Sequence, residues 1–403
     1  MTIHDETNSG KKEGLFFVFL LASSYLCRTD FCSVSLIMYN QIREDTIYIM
    51  LYAVVTAMSL IASCYLLFRR GNAIVPDITP PTRLRRWTAA FLAFLALNHM
   101  WYMPILFLTS DEDVKLNDLV GGLLDSMTIL PLSIIVMLTM LQDRRHPLWP
   151  VAVIVLPQVV GMGVSVATRS TALFPLLYGY FLLMCIGFII YMVRALRQYG
   201  RWLRDNYADL EHKEVWHSFV MMAIMLLVFG VYAIVGKGPV CQYAMLVVCI
   251  ALVCYLPWRV ETLSDLTPTV PQPASSPVPQ FPKEEITVHA NIGPLLQRYC
   301  IDTQLYLQHD LTLLQLAKAI GVNRFYLSQY FSSMSTNYNA YINDLRINHF
   351  TTLYREAVAA KRSVTAQQLA LDSGYKSYST FSKAFKNKMG LSATTWIKSQ
   401  QEG

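Results

Sequence analysis

The sequence predicts an all-α protein, a seven-helix transmembrane bundle followed by a tandem helix-turn-helix domain. Three observations carry this. Apolar residues make up 54% of the 403 residues and charged residues only 15%, against about a quarter charged in an average globular chain. The deficit is confined to residues 46–258, where one apolar stretch follows another. Beyond a proline-rich stretch, a pattern of caps, apolar spacing and glycine then occurs twice, 53 residues apart.

A membrane-spanning helix needs about 20 mostly apolar residues, because only a helix or closed barrel satisfies its own backbone hydrogen bonds in lipid. Seven segments meet that standard: Thr46–Phe68, Trp87–Leu108, Leu119–Leu141, Trp149–Ala167, Ala172–Val193, Trp216–Val235 and Val240–Trp258. Pro104, Pro131, Pro157 and Pro175 fall inside them. Basic residues orient the bundle. Arg69, Arg70, Arg83, Arg85, Arg86, Arg144, Arg145, Arg194, Arg197, Arg201, Arg204, Lys213 and Arg259 lie in one alternate set of loops. Lys115, Arg169 and Lys237 lie in the other, 13 against 3. The first set is therefore expected in the cytoplasm, with the C-terminus inside.

Residues 1–45 form an N-terminal segment with a signal-like run. Lys11 and Lys12 precede the apolar Leu15–Leu26, which Arg28 and Asp30 interrupt. Its length suits a signal peptide better than a span. An extra half-span, or untranslated sequence with initiation at Met38, stays open. The eight cysteines form no CxxC pair, so they are expected as buried apolar residues with no metal site. Glu211, His212, Glu214 and His217 lack the HExxH spacing of a zinc helix and are expected on a solvated or interfacial face.

Residues 46–260 thus form the membrane domain and 261–283 a linker with Pro268, Pro271, Pro273, Pro277, Pro279 and Pro282. Such a stretch forms neither helix nor sheet and acts as a semi-rigid spacer. Residues 284–403 form a domain of two units, 312–333 and 365–388. In the first, Thr312 and Gln315 have capping-box spacing, and Leu313, Leu316, Ala317 and Ile320 share one helical face. Gly321 ends the helix, and Asn323 caps a second one with Leu327 and Phe331 inward. In the second unit Thr365, Gln368, Leu369, Ala370, Gly374, Ser377, Phe381 and Phe385 repeat the scheme. Asn339–Lys361, without proline or glycine, reads as a long connecting helix. Helix, glycine turn and helix make a helix-turn-helix pattern. A fragment beginning near Lys283 is expected to fold alone.

These residues resemble the AraC/XylS family of transcription regulators over roughly Leu311–Lys398. The carriers are Leu316-Ala317, Gly321-Val322, Tyr326-Leu327-Ser328, Phe331, Tyr341-Ile342, Arg346-Ile347, Leu369-Ala370, Ser373-Gly374-Tyr375, Phe381-Ser382-Lys383, Phe385-Lys386, Gly390 and Trp396. The sequence departs from the family at three places. No glycine follows the first recognition helix near Ser335-Thr336, Phe350 stands where alanine is usual, and Ala393 where proline is expected. The resemblance implies a bacterial protein of the inner (cytoplasmic) membrane, with two recognition helices reading adjacent major-groove segments.

From Lys283 onward 13 basic residues face 8 acidic ones, enough to attract phosphate. The second helix of each unit is expected to present its N-terminal residues to double-stranded DNA. With Leu327 and Phe331 inward, Asn323, Arg324, Phe325, Ser328 and Gln329 belong to the first reading surface. Lys376, Ser377, Tyr378, Ser379, Ser382 and Lys383 belong to the second. Arg324 suits guanine and Gln329 adenine, while Lys383, Lys386 and Lys388 suit phosphate. Within the bundle, polar residues at membrane depth are candidates for sensing. Counted from the outer ends at about 1.5 Å per residue, Asp125 lies roughly 9 Å and His99 roughly 14 Å deep, with Asn98 beside His99. A His99–Asp125 pair and independent partners are both open.

The sequence thus reads as a membrane-embedded one-component transcriptional regulator rather than an enzyme, with no catalytic residue and no cofactor. Its expected partners are duplex DNA, the lipid bilayer and a signal ligand or partner protein, with a homodimer one arrangement open to it. The alternative is a membrane receptor or transporter whose tail recruits a protein partner.

Overall fold

The computed structural model describes residues 45–69, 71–76, 78–221, 223–224, 239–266 and 292–402. These residues are helical, with one isolated β-bridge among them. The segment 1–44 and the proline linker from Thr267 lie outside the described residues. The chain divides into two compact units: residues up to 195 with 215–266, and 196–214 with the C-terminal residues.

In the first unit α1 is Thr46–Phe68, α2 Thr82–Tyr102, α3 Asp111–Met127, α4 Ile129–Met140, α5 Trp149–Thr168, α6 Phe174–Asn206 and α7 Pro239–Thr262. Asp45 caps α1 by accepting from the amides of Ile47 and Tyr48. The far end of α1 is closed in part by α2, whose Arg85 Nε donates to the Leu66 carbonyl at 2.7 Å. The helix α2 starts at Thr82, before the expected Trp87, and stops at Tyr102. There Pro104 lacks the amide hydrogen an α-helix needs, and the chain tightens into a 3-10 turn, Met103–Leu106. The third expected span is two helices. Pro131 cannot bond back to the Met127 carbonyl, and the break falls at Thr128. Pro175 lies in the first turn of α6, where the missing donor costs nothing.

Among the described residues, five helices are long and apolar enough to cross a membrane: Thr46–Phe68, Asp111–Met140 (α3 with α4), Trp149–Thr168, Phe174–Asn206 and Gln242–Thr262. The second expected span, α2, is not among them. Arg83, Arg85 and Arg86 dilute its first turn, and its buried face (Leu84, Phe91, Leu92, Leu95) packs against α1, α4 and α7. The sixth expected span lies mostly outside the described residues. On α6, Leu176, Leu183, Ile186 and Ile190 form an exposed aliphatic stripe, a surface that lipid tolerates and water does not. The chain from α7 stays tied to the first unit: Asn72 donates to the Glu261 carbonyl, Ala73 to its carboxylate, and Leu266 to Gln142.

In the second unit α8 is Leu313–Ile320, α9 Arg324–Ser333, α10 Tyr338–Ala359, α11 Ala366–Asp372, α12 Tyr378–Met389 and α13 Ala393–Glu402. Thr312 and Gln315 form the full reciprocal capping box. The second box is half formed: Thr365 accepts from the Gln368 amide, but the Gln368 side chain turns forward to Asp372. The three departures from the family pattern each find a place. Ser335 takes a left-handed φ of 54° in the turn where glycine was missing. Ala393 opens α13, where proline would also fit. Phe350 is wholly buried among Phe381, Phe385 and Trp396.

Two cores flank α10. Leu313, Leu316, Ala317, Leu327, Phe331 and Ile342 fill one. Ile347, Phe350, Leu369, Phe381, Phe385 and Trp396 fill the other. The first has contributors that periodicity alone did not bring out. Ile292, Leu296 and Cys300 lie at i, i+4 and i+8 on a helical stretch, 292–301, ahead of the first unit. Burial pushes the Cys300 thiol up to about 11, so it stays protonated and inert.

The two turn glycines are not equivalent. Both have left-handed φ, 74° at Gly321 and 90° at Gly374. A Cβ on Gly321 would meet nothing within 4 Å, but on Gly374 it would sit 2.7 Å from the Leu307 Cα and 2.8 Å from its carbonyl oxygen. Gly321→Ala should therefore cost about 1 kcal/mol, for backbone strain alone. Gly374→Ala should cost about 2–3 kcal/mol, because backbone must also move. Chemical denaturation of the two variants checks this, and equal losses would refute it.

Candidate nucleic-acid interface

Each expected reading helix begins with a side-chain cap. Asn323 accepts from the Phe325 amide at 2.8 Å, and Ser377 from the Thr380 amide at 3.3 Å. These caps orient the first turns of α9 and α12, which carry most of the expected reading residues. Of these, Phe325 is 66% exposed, Gln329 and Ser379 are exposed, and Ser328, Tyr378 and Ser382 are half-buried. Tyr378 packs its ring against Phe381. Lys386 is exposed. Lys388 instead reaches α10, pairing with Asp344 at 3.0 Å and with Asn348.

The remaining polar residues meet a segment that the sequence reading placed in the membrane domain. Residues 196–214, the end of α6 and the strap after it, pack with the C-terminal domain. The Tyr207 backbone bridges to Thr312, the Ala208 amide donates to the Leu311 carbonyl, and Ala208 joins the first core. Asn339 of α10 donates to the carbonyls of Tyr207 and Ala208. Along this strap Arg324 donates to the Asn206 side chain. Ser377 and Thr380 both donate to the Glu211 carboxylate, at 2.7 and 2.8 Å. Lys383 lies 3.5 Å from Glu214. Lys376 and Lys213 flank Asp310, at 3.7 and 2.8 Å. Glu211 and Glu214, expected on a solvated or interfacial face, are part-exposed and face the second helix-turn-helix. Hydroxyls 166 and 169 residues away in sequence decide this for Glu211, and Lys383 decides it for Glu214.

At the centre is Arg346 of α10, wholly buried. Its guanidinium pairs with Asp209 at 2.8 Å and donates to the carbonyls of Tyr306 and Gln308, each at 2.8 Å. It also lies 5.4 Å from the Tyr375 ring centroid. Asp209, 3% exposed, accepts in addition from the Asp310 amide at 2.8 Å. A buried ion pair is tolerable only when its hydrogen bonds are filled, and these are. The strap, the segment at Tyr306 and Gln308, Tyr375 of the second helix-turn-helix and α10 thus meet at one charge.

In the first unit, the polar residues at depth are not arranged as a His99–Asp125 pair. Asn98 donates to Asp125 at 2.8 Å and to the Thr128 hydroxyl at 3.0 Å, and Tyr102 donates to the other Asp125 oxygen at 2.9 Å. His99 turns to its own helix, with Nδ1 2.9 Å from the Leu95 carbonyl. Its ring lies 4.8 Å from that of Tyr52 on α1. Adjacent helix positions point about 100° apart, so when Asn98 faces α3, His99 faces elsewhere. Gly121 lets the Tyr102 ring lie against α3, where a Cβ would come within 2.4 Å of it.

Comparison with known proteins agrees with the C-terminal geometry. A family model described as a helix-turn-helix domain matches residues 316–399. No curated protein and no solved structure matches the chain. The chain therefore carries a helix-turn-helix domain of the AraC type, a DNA-binding class used in transcription regulation. The same chain carries apolar helices that fit a membrane domain.

Proposed function

We propose that the protein is a membrane-embedded one-component transcriptional regulator. The helical bundle, around Asn98, Asp125 and Tyr102, senses a signal, and the paired helix-turn-helix units bind specific duplex DNA from the cytoplasmic side of a bacterial inner membrane. The observation that carries this reading is the presence, in one chain, of two capped helix-turn-helix units and helices apolar enough to span lipid. Thirteen basic residues in the first set of loops support a cytoplasmic tail, since such loops are retained inside.

The test is duplex binding by the intact protein in lipid nanodiscs, titrated with salt on a site selected from a random pool and on random DNA. Binding should weaken with salt through counterion release. Arg324→Ala should cost about 1–3 kcal/mol on the selected site and little on random DNA, as loss of a base contact does. Lys386→Ala should weaken both alike and shallow the salt slope by about one unit, as loss of a phosphate contact does. Identical behaviour of the two variants on both duplexes would remove the assigned roles. Absence of duplex binding would leave the tail as a platform for a protein partner.

A further inference from the structure

Residues 206–214 carry three carboxylates, Asp209, Glu211 and Glu214, in a loop set that is predominantly basic. Two kinds of contact can be told apart within this strap. Asp209 is 3% exposed and its partner Arg346 is 0% exposed, which makes the pair an anchor inside the fold. Glu211 and Glu214 have side chains 31% and 33% exposed, at the rim where another anion can reach. Their partners are residues of the second recognition helix: the Ser377 cap, Thr380 in its first turn and Lys383 one turn on. Asn206, at the start of the same strap, holds Arg324 of the first recognition helix.

The chemistry of these seats is that of phosphate binding. A helix N-terminus with hydroxyl donors, and a lysine beside it, accept a DNA phosphate oxygen as readily as a carboxylate. Glu211 takes two hydroxyl hydrogen bonds through one oxygen, Oε2, at the positive end of the 12-residue α12. We propose that residues 206–214 are a built-in competitor of DNA. On this proposal, which rests on the DNA-binding reading above, Glu211 and Glu214 occupy phosphate seats on α12, Asn206 holds Arg324 on α9, and duplex and strap exclude one another at these side chains. Asp209 keeps the strap in register, so that docking and displacement are local to its rim. The strap follows α6 directly in the chain.

The experiment uses the intact protein in nanodiscs and random-sequence duplex, because a masked phosphate seat lowers affinity for every sequence. Glu211→Gln with Glu214→Gln removes the charge and keeps the shape. It should bind duplex about tenfold more tightly than wild type, the size of one charge-assisted contact expressed as an equilibrium constant. Unchanged or weaker binding, in a protein whose wild type binds, overturns the proposal. A second measurement needs no variant. Hydrogen exchange in the wild type should rise over residues 207–214 when duplex is added, while α10 stays protected. Protection over 207–214 that persists or deepens with duplex bound also overturns it. If neither form binds any duplex, the DNA-binding reading fails and the inference fails with it.

Discussion

Asp209→Ala is expected to destabilise the C-terminal domain by about 3–5 kcal/mol, the usual loss when one member of a buried ion pair is removed. The guanidinium of Arg346 would keep its bonds to the Tyr306 and Gln308 carbonyls but lose its only carboxylate among the described residues. A charge that is 0% exposed cannot recruit water in compensation. The loss should appear in the intact protein as faster hydrogen exchange across α8–α10. Asp209→Ala with Arg346→Met should recover much of it, because deleting both charges leaves no orphan. A single variant as stable as wild type would show that the pair contributes nothing. The same geometry bears on the tail taken alone. A fragment from Lys283 holds Arg346 but not Asp209, so it should be less stable than the domain within the intact chain. The expectation that it folds by itself is thereby put to test.

Phe350→Ala should cost about 3–5 kcal/mol, as truncation of a buried aromatic does. The ring is 0% exposed, with ring centroids 4.5 Å from Phe381, 5.5 Å from Phe385 and 6.2 Å from Trp396. The three neighbouring rings cannot collapse smoothly into the space a phenyl ring leaves, so the cavity term adds to the lost transfer energy. The damage should be local. Exchange should rise first in α11–α13, whose core contains Phe350, while α8 and α9 draw on the separate core of Leu316, Leu327 and Phe331. Uniform loss across both units would mean that α10 couples them more tightly than the two cores suggest. The alanine usual in the resembling family would then be no guide to this position, because the neighbouring rings here are packed for phenylalanine.

Much of the fold was legible because its signals are local. Thr312, Asn323, Thr365 and Ser377 act on amides two or three residues away, and apolar spacing reports one helix face at a time. The boundaries that moved did so for local reasons too. Pro104 and Pro131 ended helices that hydropathy alone ran through, because a missing amide hydrogen leaves no mark on an apolar count. The helical stretch at 292–301 lies inside the expected domain, but that Ile292, Leu296 and Cys300 belong to the first core is decided by residues farther along the chain that pack on them.

By itself, then, the sequence determined the all-helical class, the paired helix-turn-helix units with their caps and glycine turns, and the apolar helices that fit a membrane. Tertiary structure alone decided which charges meet. The partner of Arg346 lies 137 residues earlier in the chain, and those of Ser377 and Thr380 lie 166 and 169 residues earlier. Asp125 takes Asn98 and Tyr102 rather than His99 through the angular phase of one helix against another. Caps and helical periods are set within a turn of backbone, whereas a buried charge is satisfied by whatever the folded chain brings within about 3 Å of it.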